Sequence, residues 1–212
     1  MRGGAGTKVA LFGGSFNPPH VAHQLVALYV LETQPVDELW FVPVYTHVFG
    51  KDNAPYADRA AMCELAIQPL GLRAQVCRAE EDLAQAPGFA GSRTLDLVEH
   101  LIQRHPTSSF RLVIGTDILG ETQKWHRWDA VVAAAPPIIV GRPGHPVPEG
   151  STVTGLTMPE VSSTAIRAAL AGLTPDVRAA LKRGEIPAEA QGVASLLPAS
   201  VLRYIAERDL YS

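Results

Sequence analysis

The chain has 212 residues, of which 47% are hydrophobic, 18% charged and 7% aromatic. This composition is typical of a globular chain with a sizeable core and excludes general disorder. The formal net charge is −3 and the 18 Lys and Arg residues are scattered, so the sequence offers no basic block for duplex nucleic acid or an anionic membrane. Two cysteines, Cys63 and Cys77, are too few for a disulfide framework or a CxxC redox pair, which predicts buried, reduced thiols.

Targeting and membrane-spanning segments are not evident in the sequence. The apolar stretch at residues 9–12 is too short for the hydrophobic part of a signal peptide. The longest apolar run, residues 131–140, contains Pro136 and Pro137 and falls short of the roughly 18 residues that a membrane span needs. The sequence therefore predicts a cytoplasmic protein.

Short apolar runs alternate with helical patterns along the chain, which predicts strands alternating with helices. The predicted strands are residues 8–12, 38–44, 72–79, 110–114, 138–140 and 152–158. The predicted helices are residues 18–33, 57–68, 92–105 and 125–134. The first helix is expected to hold Pro18 and Pro19 in its first turn and to bury an apolar stripe of Val21, Leu25 and Leu28, with Val26 as a further candidate. Ser92 is the predicted cap of the helix at residues 92–105.

Strands that alternate with helices pair in parallel through right-handed crossovers. The predicted fold class is therefore α/β: a Rossmann-like, doubly wound, mostly parallel sheet with helices on both faces. From residue 162 the chain reads as three helical pieces, and no role is evident for residues 171–195. We expect one domain over residues 1–212, with an α/β core at 1–161 and a helical carboxyl-terminal part at 162–212.

The strongest functional signal follows the first predicted strand directly. It is the segment Gly13-Gly14-Ser15-Phe16-Asn17-Pro18-Pro19-His20-Val21-Ala22-His23. Two glycines let the backbone approach a ligand closely, Ser15 adds a hydroxyl, and the start of a helix supplies free N–H groups for an anion. Ligands of open α/β sheets bind at the carboxyl ends of the strands, so the sequence predicts a phosphate cradle here.

His20 and His23 are three residues apart on the predicted helix and share one face. Beside a phosphate, one imidazole can hydrogen bond a phosphoryl oxygen and the other can donate to charge that develops in a transition state. One histidine as a helix cap or core residue, or a two-histidine metal site, are the alternatives, and the sequence offers no evident third ligand. The segment matches neither GxGxxG nor the P-loop pattern.

The run GGSFNPPHVAH resembles the GxFDPxHxGH-type signature of a nucleotidyltransferase superfamily that joins a nucleoside triphosphate to a phosphorylated acceptor and releases pyrophosphate. Asn17 stands where Asp is usual, and Ala22 where Gly is usual. A second signature, SSTxxR, is similar to Ser162-Ser163-Thr164-Ala165-Ile166-Arg167. A serine can cap this helix while Arg167 reaches β- and γ-phosphate oxygens, or the segment is only a capped helix with a solvated arginine.

The middle of the chain resembles bacterial nicotinate mononucleotide adenylyltransferases. Gly115-Thr116-Asp117 is similar to their GxD, Trp125-His126-Arg127-Trp128 to their WxxW, and Ser92-Arg93-Thr94 to their SYT, with Arg93 where Tyr is usual. Asp117 is placed to accept hydrogen bonds from a ribose, and Trp125 to stack on a pyridine ring. Alternatively, Trp125 and Trp128 form one packed helix face.

Lys51 and Arg59 follow the second strand at positions similar to basic residues of the family, near an acceptor phosphate; otherwise they are surface cations, and His47 is equally open. The ending at residues 197–211 also resembles the family ending LPxxVxxYIxxxxLY. The resemblance implies three sets of site residues. Catalysis is expected from His20, His23 and Arg167; ATP and phosphate binding from Gly13, Gly14, Ser15, Phe16, Gly115, Asp117, Ser162, Ser163 and Thr164; and acceptor binding from Lys51, Arg59, Arg93, Thr94, Trp125 and His126.

The implied reaction transfers the adenylyl group of ATP to nicotinate mononucleotide and yields nicotinate adenine dinucleotide and pyrophosphate. Mg²⁺ is expected to arrive with ATP, with few or no protein ligands. Nicotinamide mononucleotide or phosphopantetheine as the acceptor, or a binding module without turnover, are the alternatives. No nucleic acid or membrane partner is expected, and the oligomeric state is open.

Overall fold

The computed structural model describes residues 6–46, 53–87, 89, 91–122, 125–146 and 153–212. Within these residues, six strands form one sheet in the order β3-β2-β1-β4-β5-β6. The strands are β1 (Lys8–Gly14), β2 (Glu38–Pro43), β3 (Ala74–Val76), β4 (Ser109–Gly115), β5 (Pro137–Gly141) and β6 (Val153–Thr157). Every neighbouring pair is parallel, which confirms the predicted doubly wound α/β fold.

The strand order reverses between β1 and β4, which are neighbours at the centre of the sheet. Phe12 of β1 lies in register with Phe41 of β2 and Val113 of β4. The chain leaves β1 toward one side of the sheet and β4 toward the other, so a crevice opens between their carboxyl ends. The glycines at the carboxyl ends of β1 and β4 lie at this crevice.

Helices cover the sheet and extend beyond it. They are α1 (Val21–Thr33), α2 (Tyr56–Ile67), α3 (Ala79–Ala84), α4 (Thr94–Arg104), α5 (Thr116–Leu119), α6 (Trp128–Ala134), α7 (Ser163–Ala171), α8 (Pro175–Lys182), α9 (Gln191–Ala194) and α10 (Ala199–Glu207). Alternate residues of β1 enter different cores, with Ala10 and Phe12 on the side of α1 and Val9 and Leu11 on the side of α4. Each fully buried side chain of this kind contributes about 1.5–3 kcal/mol by leaving water.

A third apolar cluster joins α2 to the carboxyl-terminal helices. Met62 of α2 packs with Ile166 of α7 and Ile205 of α10. No role is evident in the sequence for residues 171–195. In the structure they form α8 and α9 and contribute Leu181 and Val193 to this cluster. The carboxyl-terminal helices are therefore fixed against the element that follows β2.

The first helix differs from its prediction. It begins at Val21, so Pro18 and Pro19 precede it in the loop and His20 occupies the capping position. Leu25 and Leu28 are 45% and 48% exposed, and the buried face is Ala22, Val26, Ala27, Val30 and Leu31. Alanines let the helix backbone approach the sheet closely, and apolar residues on several faces of α1 hid this from a periodicity argument.

The boundaries of other strands and helices also differ from their predictions. The third strand is limited to Ala74–Val76, because Leu72 lies in the 3₁₀ turn Gln68–Arg73, where it is 96% exposed, and because α3 begins at Ala79. Ser92 does not cap α4, since Arg93 takes that position, and the Ser92 hydroxyl instead accepts from the Thr46 N–H at 3.4 Å. Likewise, α6 begins at Trp128 because Arg127 has a left-handed backbone with φ 51°.

The two thiols and the helices were also subjects of prediction from the sequence. Cys63 and Cys77 are buried free thiols, as predicted. Burial raises the pKa of Cys77 to about 11 and raises the pKa of Cys63 as well, so both stay protonated at neutral pH. Over the ranges that the structure describes, none of the helices has the length and apolar character needed to cross a bilayer.

Candidate active site

A cavity of about 350 Å³ occupies the crevice at the carboxyl ends of β1 and β4. The predicted site residues that line it are Gly13, Gly14, Ser15, His23, Thr94, Gly115, Asp117 and Trp125. They come from five separate segments of the sequence and meet where strand order reverses. The predicted location of the site at the strand ends is therefore the location of a real cavity.

The loop after β1 has an open side and an anchored side. A side chain at Gly13 would meet nothing within 4 Å, so its backbone faces free space, whereas a Cβ at Gly14 would come within 3.3 Å of the Phe16 ring. Phe16 has a left-handed backbone with φ 46° and packs edge-on against Phe12, with ring centroids 5.6 Å apart. Phe16 is buried, so its side chain packs into the core beneath the loop, whereas Ser15 lines the cavity.

The two histidines form one unit at the start of α1. Their ring centroids are 3.8 Å apart, and the His20 N–H donates to His23 Nδ1 at 3.1 Å. Because His23 Nδ1 accepts this bond, a neutral His23 carries its proton on Nε2, which leaves Nε2–H as a donor. His20 is 3% exposed, and its Nδ1 has no hydrogen-bond partner among the described residues.

Both histidines are neutral at physiological pH. Burial, with a smaller contribution from the charge of Arg142, lowers the pKa of His20 to about 4. Burial, then His20 and Arg142, lowers the pKa of His23 well below its ordinary value. The site therefore presents two uncharged imidazoles that can donate hydrogen bonds to an anion without first losing a counter-ion.

Arg142 and Asp117 form an ion pair in the cavity wall. Arg142 Nη1 lies 2.8 Å from Asp117 Oδ2, and the Arg142 backbone N–H donates to Thr116 Oγ1 at 2.9 Å. A side chain at Gly115 would collide with the Asp117 carboxylate, which explains the glycine. Arg142 is the one Lys or Arg among the described residues that line the cavity.

The two predicted signatures meet in space although they lie about 150 residues apart. Ser163 Oγ donates to the Pro18 carbonyl at 3.0 Å, and Arg167 Nη1 donates to the Asn17 carbonyl at 2.8 Å. Arg167 Nη2 also reaches Thr164 Oγ1 at 3.4 Å. Ser162 caps α7 through its extended backbone without a side-chain bond and is exposed, as is Thr164. Arg167 is therefore not the freely solvated side chain of the alternative reading.

The acceptor end was predicted from six residues, of which the structure brings two to the cavity. Thr94 and Trp125 line it, and Trp125 meets Trp128 edge-to-face with centroids 5.4 Å apart. Both tryptophans also pack against the core beside α6, but Trp125 precedes α6, so the two do not form one helix face. Arg93 and His126 are exposed, and Lys51 and His47 lie outside the described residues.

Arg59 is 2% exposed, so it is not the surface cation that the sequence left as an alternative. It donates from Nη1 to the Ser15 carbonyl at 2.8 Å, from Nη2 to the Val44 carbonyl at 2.8 Å and from Nε to the Ala54 carbonyl at 2.9 Å. These bonds use the guanidinium donors inside the protein. The geometry favours support of the cradle loop by Arg59 over direct contact with an acceptor phosphate.

The cytidylyltransferase-like family matches residues 11–169. The chain belongs to this family. A "probable nicotinate-nucleotide adenylyltransferase" of Anaeromyxobacter sp. (strain K) is 47% identical over 206 residues, with 97% of each chain covered. One of the same name from Myxococcus xanthus (strain DK1622) is 37% identical over 204 residues, covering 96% of this chain and 94% of the relative.

A solved structure, the Plasmodium falciparum nicotinic acid mononucleotide adenylyltransferase complexed with NaAD, superposes with a TM-score of 0.74 and covers 97% of both chains. At 17% identity this likeness bears on the fold alone. The family match and the relatives confirm the resemblance to nicotinate-nucleotide adenylyltransferases that the sequence motifs predicted.

Two charged residues of the cavity wall, Arg142 and Glu80, were not identified from the sequence. Arg142 follows the fifth strand directly, as the other site residues follow theirs, and that position could have identified it. Glu80 lines the cavity and is 3% exposed, and its Oε2 has no partner in the described part of the chain. Burial raises the pKa of Glu80, while the Ser92 hydroxyl and the Tyr45 backbone N–H counteract this. Glu80 was not singled out from the sequence, because it stands in the acidic run Glu80-Glu81-Asp82.

The metal alternative finds no further ligands in the described residues. Among these, no group of three His, Cys, Asp or Glu side chains converges closely enough to hold a metal ion. A protein-bound metal at the histidine pair would need such additional ligands.

Proposed function

We propose that this chain is a nicotinate-nucleotide adenylyltransferase. In the proposed reaction, a phosphate oxygen of nicotinate mononucleotide forms a bond to the α-phosphorus of ATP while the bond from that phosphorus to the bridging β-phosphate oxygen breaks. The products are nicotinate adenine dinucleotide and pyrophosphate. Relatives of that name at 47% and 37% identity, aligned over nearly the whole chain, support the activity.

The observation that carries the proposal is the junction of the two signatures at Asn17 and Pro18. The acceptor phosphate is already an anionic nucleophile, so catalysis needs positioning and charge stabilisation more than a protein nucleophile. A glycine loop, two neutral imidazoles and a fixed guanidinium are suited to that task. Their convergence over about 150 residues of sequence supports a phosphate-transfer site over a capped helix and a surface loop.

At the phosphate end, Gly13, Gly14 and Ser15 cradle phosphate oxygens with their backbone and hydroxyl. His20 and His23 donate hydrogen bonds to the oxygens of the pentavalent phosphorus, which is worth most in a buried site where the donors are preorganised. Arg167 binds the β- and γ-phosphates, assisted by the exposed hydroxyls at the start of α7. Mg²⁺ arrives on ATP and offsets triphosphate charge, and it remains part of the substrate.

At the acceptor end, Thr94 binds the pyridine substituent and Trp125 stacks on the ring. On the ATP side of the cavity, Asp117 accepts a hydrogen bond from a ribose hydroxyl while Arg142 keeps the Asp117 carboxylate in place. Contacts from Lys51, Arg93 and His126 to the acceptor stay predictions, as do a cytoplasmic location and any homo-oligomer.

The test is pyrophosphate release from MgATP with nicotinate mononucleotide, nicotinamide mononucleotide and phosphopantetheine in parallel reactions. We expect release with nicotinate mononucleotide to exceed release with the other two. Release with another acceptor alone would keep the chemistry and overturn the acceptor. Absence of release with all three would favour a binding module.

A matched pair of variants separates the site from general damage. Arg167→Gln removes the guanidinium that is bonded to the cradle loop, and Arg203→Gln removes one that is exposed on α10. We expect the first to lose most of its pyrophosphate release and the second to keep it.

A further inference from the structure

Asn17 is a buried hydrogen-bond junction beneath the phosphate cradle. It is 2% exposed, and its Oδ1 accepts from the Tyr211 hydroxyl at 2.7 Å and from the Ala54 N–H at 3.1 Å. Its Nδ2 donates to Asn53 Oδ1 at 2.8 Å, and its backbone carbonyl accepts from Arg167 at 2.8 Å. The segment after β2, helix α7 and the end of the chain therefore all meet on this one residue.

Tyr211 is the second-last residue, and helix α8 fixes it. Arg178 of α8 donates from Nη2 to the Tyr211 carbonyl at 3.1 Å, and the same nitrogen also contacts the Leu170 carbonyl at the end of α7. Lys182, one turn further along α8, forms a 2.8 Å ion pair with Asp209. The end of the chain is thus held on α8 and reaches under the cradle loop.

We infer that Tyr211 is a positioning residue: its hydroxyl holds Asn17, and through Asn17 it sets the cradle loop and Arg167 relative to one another. A shift of Asn17 would move the carbonyl that orients Arg167 and the peptide that leads into His20. The helical segment after residue 171 thereby acquires a role in the site that its sequence did not reveal. The turnover readouts below rest on the proposed function; the amide-exchange readout does not.

The test compares Tyr211→Phe with Tyr204→Phe. Each substitution removes only a hydroxyl near the end of the chain. The Tyr204 hydroxyl donates to the buried Asp58 Oδ1 at 2.8 Å. Among the described residues, neither Tyr204 nor Asp58 lines the cavity. Each variant therefore loses one hydrogen bond donated by a tyrosine hydroxyl, to the Asn17 amide oxygen or to the Asp58 carboxylate, and only the Asn17 bond ends on the cradle loop.

For Tyr211→Phe we expect kcat to fall about tenfold, the effect of one hydrogen bond on a preorganised transition state. The KM for nicotinate mononucleotide should stay unchanged, because the hydrogen bonds of Asn17 in the described part of the chain go to residues other than Thr94 and Trp125. Tyr204→Phe should keep kcat within about twofold at a similar loss of thermal stability. Equal kcat values for the two variants, or a loss confined to the acceptor KM, would overturn the inference.

Amide hydrogen exchange at residues 15–23 provides a second readout that does not depend on turnover. Tyr211→Phe should accelerate exchange in this loop in the absence of substrates, and Tyr204→Phe should not. If the wild-type chain showed no adenylyl transfer, the proposed function would fail while this comparison still decided the role of Tyr211. Unchanged exchange in Tyr211→Phe would reject that role.

Discussion

The two ends of the cavity are built differently. At the phosphate end, side chains are buried or half-buried and hydrogen bonded to backbone: Arg59 to Ser15, Arg167 to Asn17, and His23 to the His20 N–H. At the acceptor end, Thr94 at the start of α4 and Trp125 in the segment before α6 line the cavity, and the neighbouring Arg93 and His126 are exposed. The phosphate end is thus preorganised, whereas the acceptor end has fewer fixed contacts.

This difference matches the division of labour in the proposed reaction. Stabilising charge at phosphorus requires donors that do not reorganise, whereas recognition of a flat ring tolerates a more exposed wall. Substitutions at the phosphate end should therefore lower kcat, and substitutions at the acceptor end should raise one KM. Four predictions follow from this contrast, beginning with the largest effect.

His23→Ala should lower kcat by about two to four orders of magnitude and keep ATP binding, because a transition-state donor is lost while the glycine loop stays. The measurements are steady-state turnover and calorimetric ATP affinity. His145→Ala, at an exposed position, is the control and should keep its turnover. Near-normal turnover of the His23 variant would remove this residue from the catalytic role.

Acidification should destabilise the phosphate end. The pKa of His20 is about 4 in the folded chain and about 6.5 when unfolded, so the unfolded chain binds more protons between these values. The stability that neutral His20 contributes is present above pH 6.5 and is lost as pH falls to 4, by about 3 kcal/mol. Urea unfolding at pH 7 and pH 4.5 measures this loss. The same acid loss in His20→Gln would contradict the assignment.

Arg142→Gln should raise the KM for ATP about ten- to hundredfold, because a cation beside the histidines is lost and Asp117 is released from its ion pair. The reduced positive charge should also raise the pKa values of both histidines and move the acid limb of the pH–rate profile to higher pH. Arg104→Gln breaks an exposed ion pair with Asp82 and serves as the control. An unchanged acid limb would show that Arg142 does not act on the histidines.

Trp125→Ala should raise the KM for nicotinate mononucleotide about tenfold and leave the KM for ATP unchanged, because Trp125 stacks on the acceptor ring in the proposed site. The same substitution should also lower the free energy of unfolding, because Trp125 packs against the core. Trp128→Ala should mainly lower the free energy of unfolding, because Trp128 packs against the core. Initial rates with either substrate varied, together with thermal unfolding, separate the two effects. A rise of both KM values in Trp125→Ala would erase the contrast between the ends.

The sequence predicted the sheet and its cradle because both rest on local signals. A buried strand that runs into Gly13 and Gly14, and serines that open a helix before Arg167, are visible without tertiary contacts. What escaped prediction depends on packing: the burial of Arg59, the exposure of Leu25 and Leu28, and the Arg142–Asp117 pair. These arise when segments far apart in sequence meet, and no spacing rule encodes them. The same holds for Tyr211, whose partner Asn17 is 194 residues away.

The central claim is attack at the α-phosphorus of ATP, and isotopic labelling tests it most directly. ATP labelled at the α-phosphate, with Mg²⁺ and nicotinate mononucleotide, should give labelled nicotinate adenine dinucleotide, while label at the γ-phosphate should appear only in pyrophosphate. Transfer of the γ-label to the acceptor, or no label in a dinucleotide, would contradict the account.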